Sequence, residues 1–207
     1  MNYNALPLFI SFEGIEGSGK STQAKILYDS LKQKEYPVIL TREPGGTAIG
    51  NDIRQILIDK KNNQIDPLTE LMLNFASRIE HLQQVILPSL KNKQIVITDR
   101  FYDSTLAYQG FAMGVEIETI EKMHQLMINS IQPDITFLCD MDVEVAFQRI
   151  KSRSDNNRYE ELSFDFHNKV RNGFLEIAKN NAGRIKIINA NNDVCKVAEQ
   201  VIKYLNF

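Results

Sequence analysis

The chain has 207 residues, 43% of them hydrophobic and 24% charged, an ordinary balance for a soluble globular protein. Lys+Arg 24 against Asp+Glu 26 leaves a net charge of −2, which excludes the global basic field that duplex nucleic acid or an anionic membrane requires. At roughly 150 residues per domain, residues 1–207 read as one substantial domain with room for a small mobile subregion.

Leu8-Phe9-Ile10-Ser11-Phe12 reads as a buried strand, followed by a glycine-rich turn and a helix over about 20–34. Val38-Ile39-Leu40 is the second strand. It runs into Thr41-Arg42-Glu43-Pro44-Gly45-Gly46, with a helix predicted over 48–59. Pro67 then opens a long helix at its first position, where a missing N–H is harmless. Leu68, Leu71, Met72, Phe75, Ile79, Leu82, Ile86 and Leu90 keep the helical period for about 25 residues. Ile95-Val96-Ile97, Ile135-Thr136-Phe137-Leu138 and Ile185-Lys186-Ile187-Ile188 complete the strands. Helices are predicted over 117–130, Val143–Lys151, Phe164–Asn180 and 194–205. Strands alternating with helices of this length predict an α/β fold, a five-stranded parallel sheet covered on both faces.

Cys139 and Cys195 form no C-x-x-C pair and read as small buried hydrophobes in a reducing compartment. His81, His124 and His167 share no metal spacing and read as surface or supporting residues. The first basic residue is Lys20, so no charged leader region is apparent, and no apolar run approaches the ~18 residues of a membrane span. The expectation is a cytoplasmic protein with no nucleic-acid or membrane partner.

The first strand runs into Gly14-Ile15-Glu16-Gly17-Ser18-Gly19-Lys20-Ser21, matching G-x-x-x-x-G-K-[ST]. Glycines let successive N–H groups turn inward around phosphate oxygens, and the helix behind them adds its positive end. Lys20 would reach the β/γ-phosphates of ATP and the Ser21 hydroxyl would hold Mg²⁺. No N-K-x-D guanine motif is present and the chain is short for a motor or ABC-type ATPase. A small-molecule kinase remains. Asp99, at the end of the third strand, can order the magnesium shell, and Arg100 beside it offers a fork for phosphate.

Phe12-Glu13-Gly14 with the phosphate loop, Thr41-Arg42-Glu43-Pro44-Gly45-Gly46-Thr47, Ala76-Ser77-Arg78, and Asp99-Arg100-Phe101 through Tyr108-Gln109-Gly110 together resemble the bacterial thymidylate kinases. The similarity runs in order from about residue 8 to 207. It implies the P-loop kinase fold, with transfer of the γ-phosphoryl of ATP to dTMP and Mg²⁺ as cofactor. It also implies a homodimer. In that resemblance Arg78 hydrogen-bonds thymine, with Thr105 and Gln109 lining the base pocket together with Ser104 and Pro44. Arg54 and Arg100 hold the acceptor phosphate. Glu16 approaches the sugar 3′-hydroxyl or the metal, Tyr108 crowds the 2′ position, and Asn189-Ala190 border adenine. The family usually carries Phe four residues before the base-reading arginine, and here that position is Asn74. Asn74 and Phe75 are both candidates for the base wall. About 100° separates them on a helix, so the expectation is Asn74 toward the base and Phe75 in the core, with Leu73 or Pro44 adding apolar contact.

Over 149–158, Arg149, Lys151, Arg153 and Arg158 gather around Ser152-Arg153-Ser154-Asp155-Asn156-Asn157, a loop-forming stretch. It reads as a short mobile basic lid, about 149–160, able to close over ATP and exclude water. The phosphate loop carries no arginine at its variable positions, which resembles the bacterial-type arrangement; that resemblance implies that lid arginines, Arg153 and Arg158, then Arg149, meet the transferring phosphoryl. The alternatives are a P-loop kinase for another deoxynucleotide or deoxynucleoside, and a non-enzymatic nucleotide sensor.

Overall fold

The computed structural model describes residues 7–152 and 156–205. Its strands are β1 (Leu8–Glu13), β2 (Val38–Arg42), β3 (Ile95–Asp99), β4 (Ile135–Asp140) and β5 (Ile185–Asn189). They form one parallel sheet in the order β2-β3-β1-β4-β5. Every residue of β1 is buried. Successive side chains of a strand point to opposite faces, so the centre of the sheet is covered on both sides. The connection from β1 leads toward β2 and that from neighbouring β4 toward β5, in opposite directions, which opens a crevice beyond the carboxyl ends of these strands.

The helices are α1 (Lys20–Gln33), α2 (Ala48–Ile58), α3 (Pro67–His81), α4 (Leu87–Lys91), α5 (Tyr102–Thr105), α6 (Ile117–Ile128), α7 (Val143–Lys151), α8 (Phe164–Asn180) and α9 (Val194–Ile202). Several start on side-chain caps: Thr47 accepts from Gly50 N–H, Asp66 from Leu68 and Thr69, and Ser163 from Phe166.

Two elements differ from the sequence expectation. The long helix from Pro67 is interrupted by a π-helical turn at Leu82–Ile86 before α4. Pro88 follows that turn and has no N–H to give to an upstream carbonyl, so a regular helical ladder cannot run through it. The second difference is a helix after β3, absent from the sequence reading: α5 continues as a π-helical stretch over Leu106–Ala112. Its residues carry no clean 3.6-residue apolar stripe, and tertiary contacts hold it. Gly110 lies so close to α6 that an added Cβ would stand 2.4 Å from Ile117 Cδ1.

α3 buries polar residues alongside the apolar Leu71 and Phe75. Glu70, Ser77, Arg78 and His81 are buried, while Leu68, Met72 and Ala76 are exposed. The three histidines are likewise buried, none of them on the surface. Of the two free cysteines Cys139 is buried, but Cys195 is exposed, contrary to the expectation for both.

Candidate active site

The phosphate loop leaves β1 and ends at Gly19, which precedes α1 with φ 85° and provides no side-chain cap. The first N–H groups of α1 are therefore left for an anion. Gly17 cannot be replaced: its φ is 78°, and a Cβ there would stand 2.7 Å from the Ala146 carbonyl oxygen. Lys20 is buried, its ammonium 3.4 Å from both the Ile15 carbonyl and Glu16 Oε2. The Ser21 hydroxyl donates to Asp99 Oδ2, while Asp99 Oδ1 is buried without a partner. Two hard oxygen donors beside a phosphate cradle fit a cation such as Mg²⁺ that shares its shell with phosphates and water. Among the described residues no group of three or more His, Cys, Asp or Glu could hold a metal alone.

Beside this loop a cleft opens to solvent. Glu16, Lys20, Ser21, Pro44, Arg54, Asn74, Arg78, Asp99, Arg100, Ser104, Thr105, Tyr108 and Gln109 line it. Arg100 reaches the loop through a strained backbone. Its φ of 75° is rare for a residue with a Cβ, and its N–H donates to the Phe12 carbonyl. From there its guanidinium donates to the Gly14 carbonyl at 3.0 Å, Ser104 Oγ at 2.9 Å, Glu16 Oε1 at 2.7 Å and the Tyr108 hydroxyl at 3.0 Å. Burial alone would raise the Glu16 carboxyl, but Arg100 and Lys20 hold it well below the usual carboxylate range. Burial lowers Arg54, and Arg42 and Arg100 lower it further. Neither Arg42 nor Arg54 has an ion pair among the described residues, so positive charge converges here in excess.

Elsewhere in the cavity Arg78 is held from three sides. Its Nε donates to Glu43 at 2.7 Å and its Nη2 to Thr105 Oγ1 at 3.0 Å, while Nη1 is buried and unpartnered. Glu43 is braced by His81 Nδ1 at 2.9 Å. The Phe75 and Phe101 rings lie 5.5 and 5.2 Å from the guanidinium. Asn74 lines the cavity, its amide bonded back to the Glu70 carbonyl at 2.9 Å. Phe75 does not line it: it is buried in the core, where the helix spacing puts it, and as an alternative for the base wall it is corrected. Pro44 lines the cavity and Leu73 does not.

The model of the thymidylate kinase family matches residues 12–201. The chain is 43% identical to the thymidylate kinase of Mycoplasma capricolum over 96% of its length and 94% of the relative's. It is 47% identical to that of Wolbachia pipientis subsp. Culex pipiens, covering 94% of each. The crystal structure of thymidylate kinase from Ehrlichia chaffeensis superposes with a TM-score of 0.76 at 39% identity, covering 95% of this chain and 97% of that one. The chain belongs to the thymidylate kinase family.

The basic segment after α7 divides three ways. Arg149 reaches the phosphate loop: its Nη1 lies 3.8 Å from where a Cβ on Gly19 would be. Arg153 lies outside the described residues. Arg158, expected to meet the phosphoryl, does not line the cleft. It is 5% exposed, donates Nε to the Leu57 carbonyl at 2.7 Å, and pairs through Nη2 with fully buried Glu70. The physical reason is electrostatic: a desolvated carboxylate binds the one nearby guanidinium that can reach it. Asn189 ends β5 and Ala190 follows it, on the far side of β1 from β2 and β3, and neither lines the cleft.

Among the residues in or behind the cleft that the sequence did not single out, four stand out. Asn157 and Tyr159, just past the basic segment, form part of the cleft wall. Glu13 accepts from Phe101 N–H at 2.7 Å and Ser104 Oγ at 2.5 Å, bracing the turn that carries Arg100. Burial, then the neighbouring Asp103, push its carboxyl up to about 8. Glu70 is the fourth. A signal existed for it: Glu70, Asn74, Ser77 and His81 repeat at helical spacing, a polar stripe facing inward.

Proposed function

We infer that the chain carries out the family's reaction, moving the γ-phosphoryl of ATP to dTMP to give dTDP and ADP. The observation that carries the acceptor assignment is the pairing, in one cavity, of a guanidinium cluster with a free buried donor on Arg78. The cluster suits a phosphate dianion, and the donor suits a base carbonyl. Arg54 and Arg100 grip the phosphate, joined by Arg42. Arg78 meets thymine, with Gln109, Thr105, Asn74 and Pro44 around it, and Tyr108 stands against the sugar.

The acceptor phosphate has a second pKa near ~6, so at neutral pH it is already a nucleophilic oxyanion and needs no general base. The obstacle is repulsion between two anions. Lys20, Arg100 and Arg149 lower it by placing fixed positive charge where the phosphoryl passes. Arg153 belongs with them by resemblance. Ser21 and Asp99 would hold Mg²⁺, which screens phosphate charge when bound with ATP. Asn189-Ala190 border the adenine on the β4–β5 side.

The exposed apolar row Leu68, Met72 and Ala76 on α3, beside Ile49 and Ile56 on α2, is the surface on which two copies would dimerise. Light scattering at twice the monomer mass is the expected result. We assign the enzyme to the cytoplasm, where the thiols of Cys139 and Cys195 stay reduced.

An ADP-release assay with dTMP, dUMP, dGMP and thymidine as acceptors tests the reaction. dTMP should be the best substrate by kcat/KM. Thymidine turning over faster than dTMP would instead assign a nucleoside kinase.

A further inference from the structure

Glu70 is fully buried, and three donors meet on its carboxylate. Gln109 Nε2 at 2.8 Å and the Tyr159 hydroxyl at 2.9 Å share Oε1, and the Arg158 guanidinium takes Oε2. Tyr159 and Arg158 come from the segment that ends the lid region, and Gln109 from the π-helical stretch. An ionised carboxylate only accepts, so Gln109 can offer it nothing but its NH₂ group. The flipped amide would set two acceptors against each other where both side chains are buried, at the full cost of an unmade hydrogen bond. The other end of the amide, Oε1, is therefore fixed as the atom left for the cavity that Gln109 lines. Arg78 lines the same cavity with Nε and Nη2 already bonded, leaving Nη1–H as a donor. The cavity thus offers one fixed acceptor and one fixed donor.

We propose that Glu70 is a positioning residue for base selectivity: it locks the Gln109 amide with its acceptor toward the acceptor nucleotide. The proposal rests on the reading of this cavity as the dTMP site. A thymine edge presents a ring N–H and a carbonyl, complementary to Gln109 Oε1 and Arg78 Nη1–H. A cytosine-type edge presents a bare ring nitrogen and an amino group, so acceptor faces acceptor and donor faces donor. Sites that leave buried polar groups unpaired in this way reject the wrong ligand by up to ~10⁴-fold or more.

The test compares the calorimetric Kd of dTMP with that of 5-methyl-2′-deoxycytidine monophosphate, which differs from dTMP only at that edge. Wild-type protein should prefer dTMP by at least ~10³-fold. In Glu70→Gln the new amide can donate to or accept from Gln109, so the amide is free to flip. The preference should narrow at least ~10-fold, mostly through tighter binding of the cytosine analogue. Arg158→Lys disturbs the same carboxylate without touching Gln109, and should lower Tm while keeping the preference. A folded Glu70→Gln protein with wild-type preference overturns the proposal, as does equal narrowing in Arg158→Lys. Gln109→Ala separates the two layers: unchanged dTMP affinity there removes the cavity assignment, and the proposal with it. Should Glu70→Gln fail to fold, exchange of the Gln109 side-chain amide protons in ligand-free wild type decides by NMR, with Gln109→Ala supplying the assignment. Slow exchange supports the lock, and exchange at the rate of an exposed amide overturns it.

Discussion

Arg100 and Arg158 are each held by a glutamate inside the protein, and they end with opposite roles. In the acceptor cavity Arg100 gives one nitrogen to Glu16, while Arg42 and Arg54 nearby have no carboxylate of their own among the described residues. A surplus of positive charge faces the space where an anion would sit. In the segment after α7, Arg158 gives one nitrogen to Glu70 and another to a backbone carbonyl, and its charge is used up within the fold. Arg149, nine positions earlier, keeps its guanidinium beside the phosphate loop. A run of arginines therefore does not by itself make an anion site. The carboxylates that the fold turns toward each of them decide.

The comparison breaks most severely at the phosphate loop. Lys20→Ala should lose at least ~10³-fold in kcat with an unchanged circular dichroism spectrum, because among the described residues its ammonium contacts only Ile15 and Glu16 of the loop itself. Near-native kcat would remove the loop from the chemistry. Next in size, Arg158→Ala should cost ~3–5 kcal/mol in urea unfolding, since it strands a buried charge on Glu70. Arg149→Ala should instead leave stability near wild type and lower kcat ~10²-fold, with the dTMP KM within a few-fold. If the two variants exchange these behaviours, the division drawn here between structural and functional arginine fails.

Phe75→Ala and Asn74→Phe sharpen the same contrast within one helix. Removing the buried ring should cost ~3–5 kcal/mol of stability and leave the dTMP KM within a few-fold. Adding a ring at the cavity wall should lower that KM several-fold, the ~0.5–1.5 kcal/mol of an aromatic contact. A stable Phe75→Ala protein with a greatly raised KM would show that Phe75 stacks on the base.

The smallest effect is a slope. Glu13 is pushed from 4.5 up to about 8 by burial and Asp103, so the folded state holds a proton that the unfolded chain releases. Its contribution to stability is complete below pH 4.5 and is lost as pH rises toward 8. His124, lowered by burial to about 4, acts in the other direction, and only below its ordinary 6.5. Between pH 6.5 and 8, then, Tm should fall, and Glu13→Gln should flatten that fall. An equal slope in the variant assigns the titration to another group.

The phosphate loop was legible because its chemistry is contiguous. Eight residues carry the glycines, the lysine and the hydroxyl, and the backbone between two regular elements does the rest. The β2–β3 side of the site was legible through the family's segments, although they come from three different elements. The helix after β3 was not legible, because Tyr102, Asp103 and Gln109 face the interior with polar groups and break the apolar period that sequence reading depends on. The same failure hid Glu70 among the apolar positions of α3.

Apolar periodicity and glycine spacing are local properties, so the sequence alone determined the succession of strands and most of the helices between them, the parallel sheet and the phosphate loop. The fate of each charge is not local. Glu70 meets Arg158 from 88 positions away and Gln109 from 39, and Glu13 meets Ser104 from 91. Water screens such charges in an open chain, and only burial brings them into a medium where one pairing outweighs the rest. Tertiary structure therefore decided which arginine lines the cleft, which one is tied up in the fold, and which end of an amide is held by a buried carboxylate.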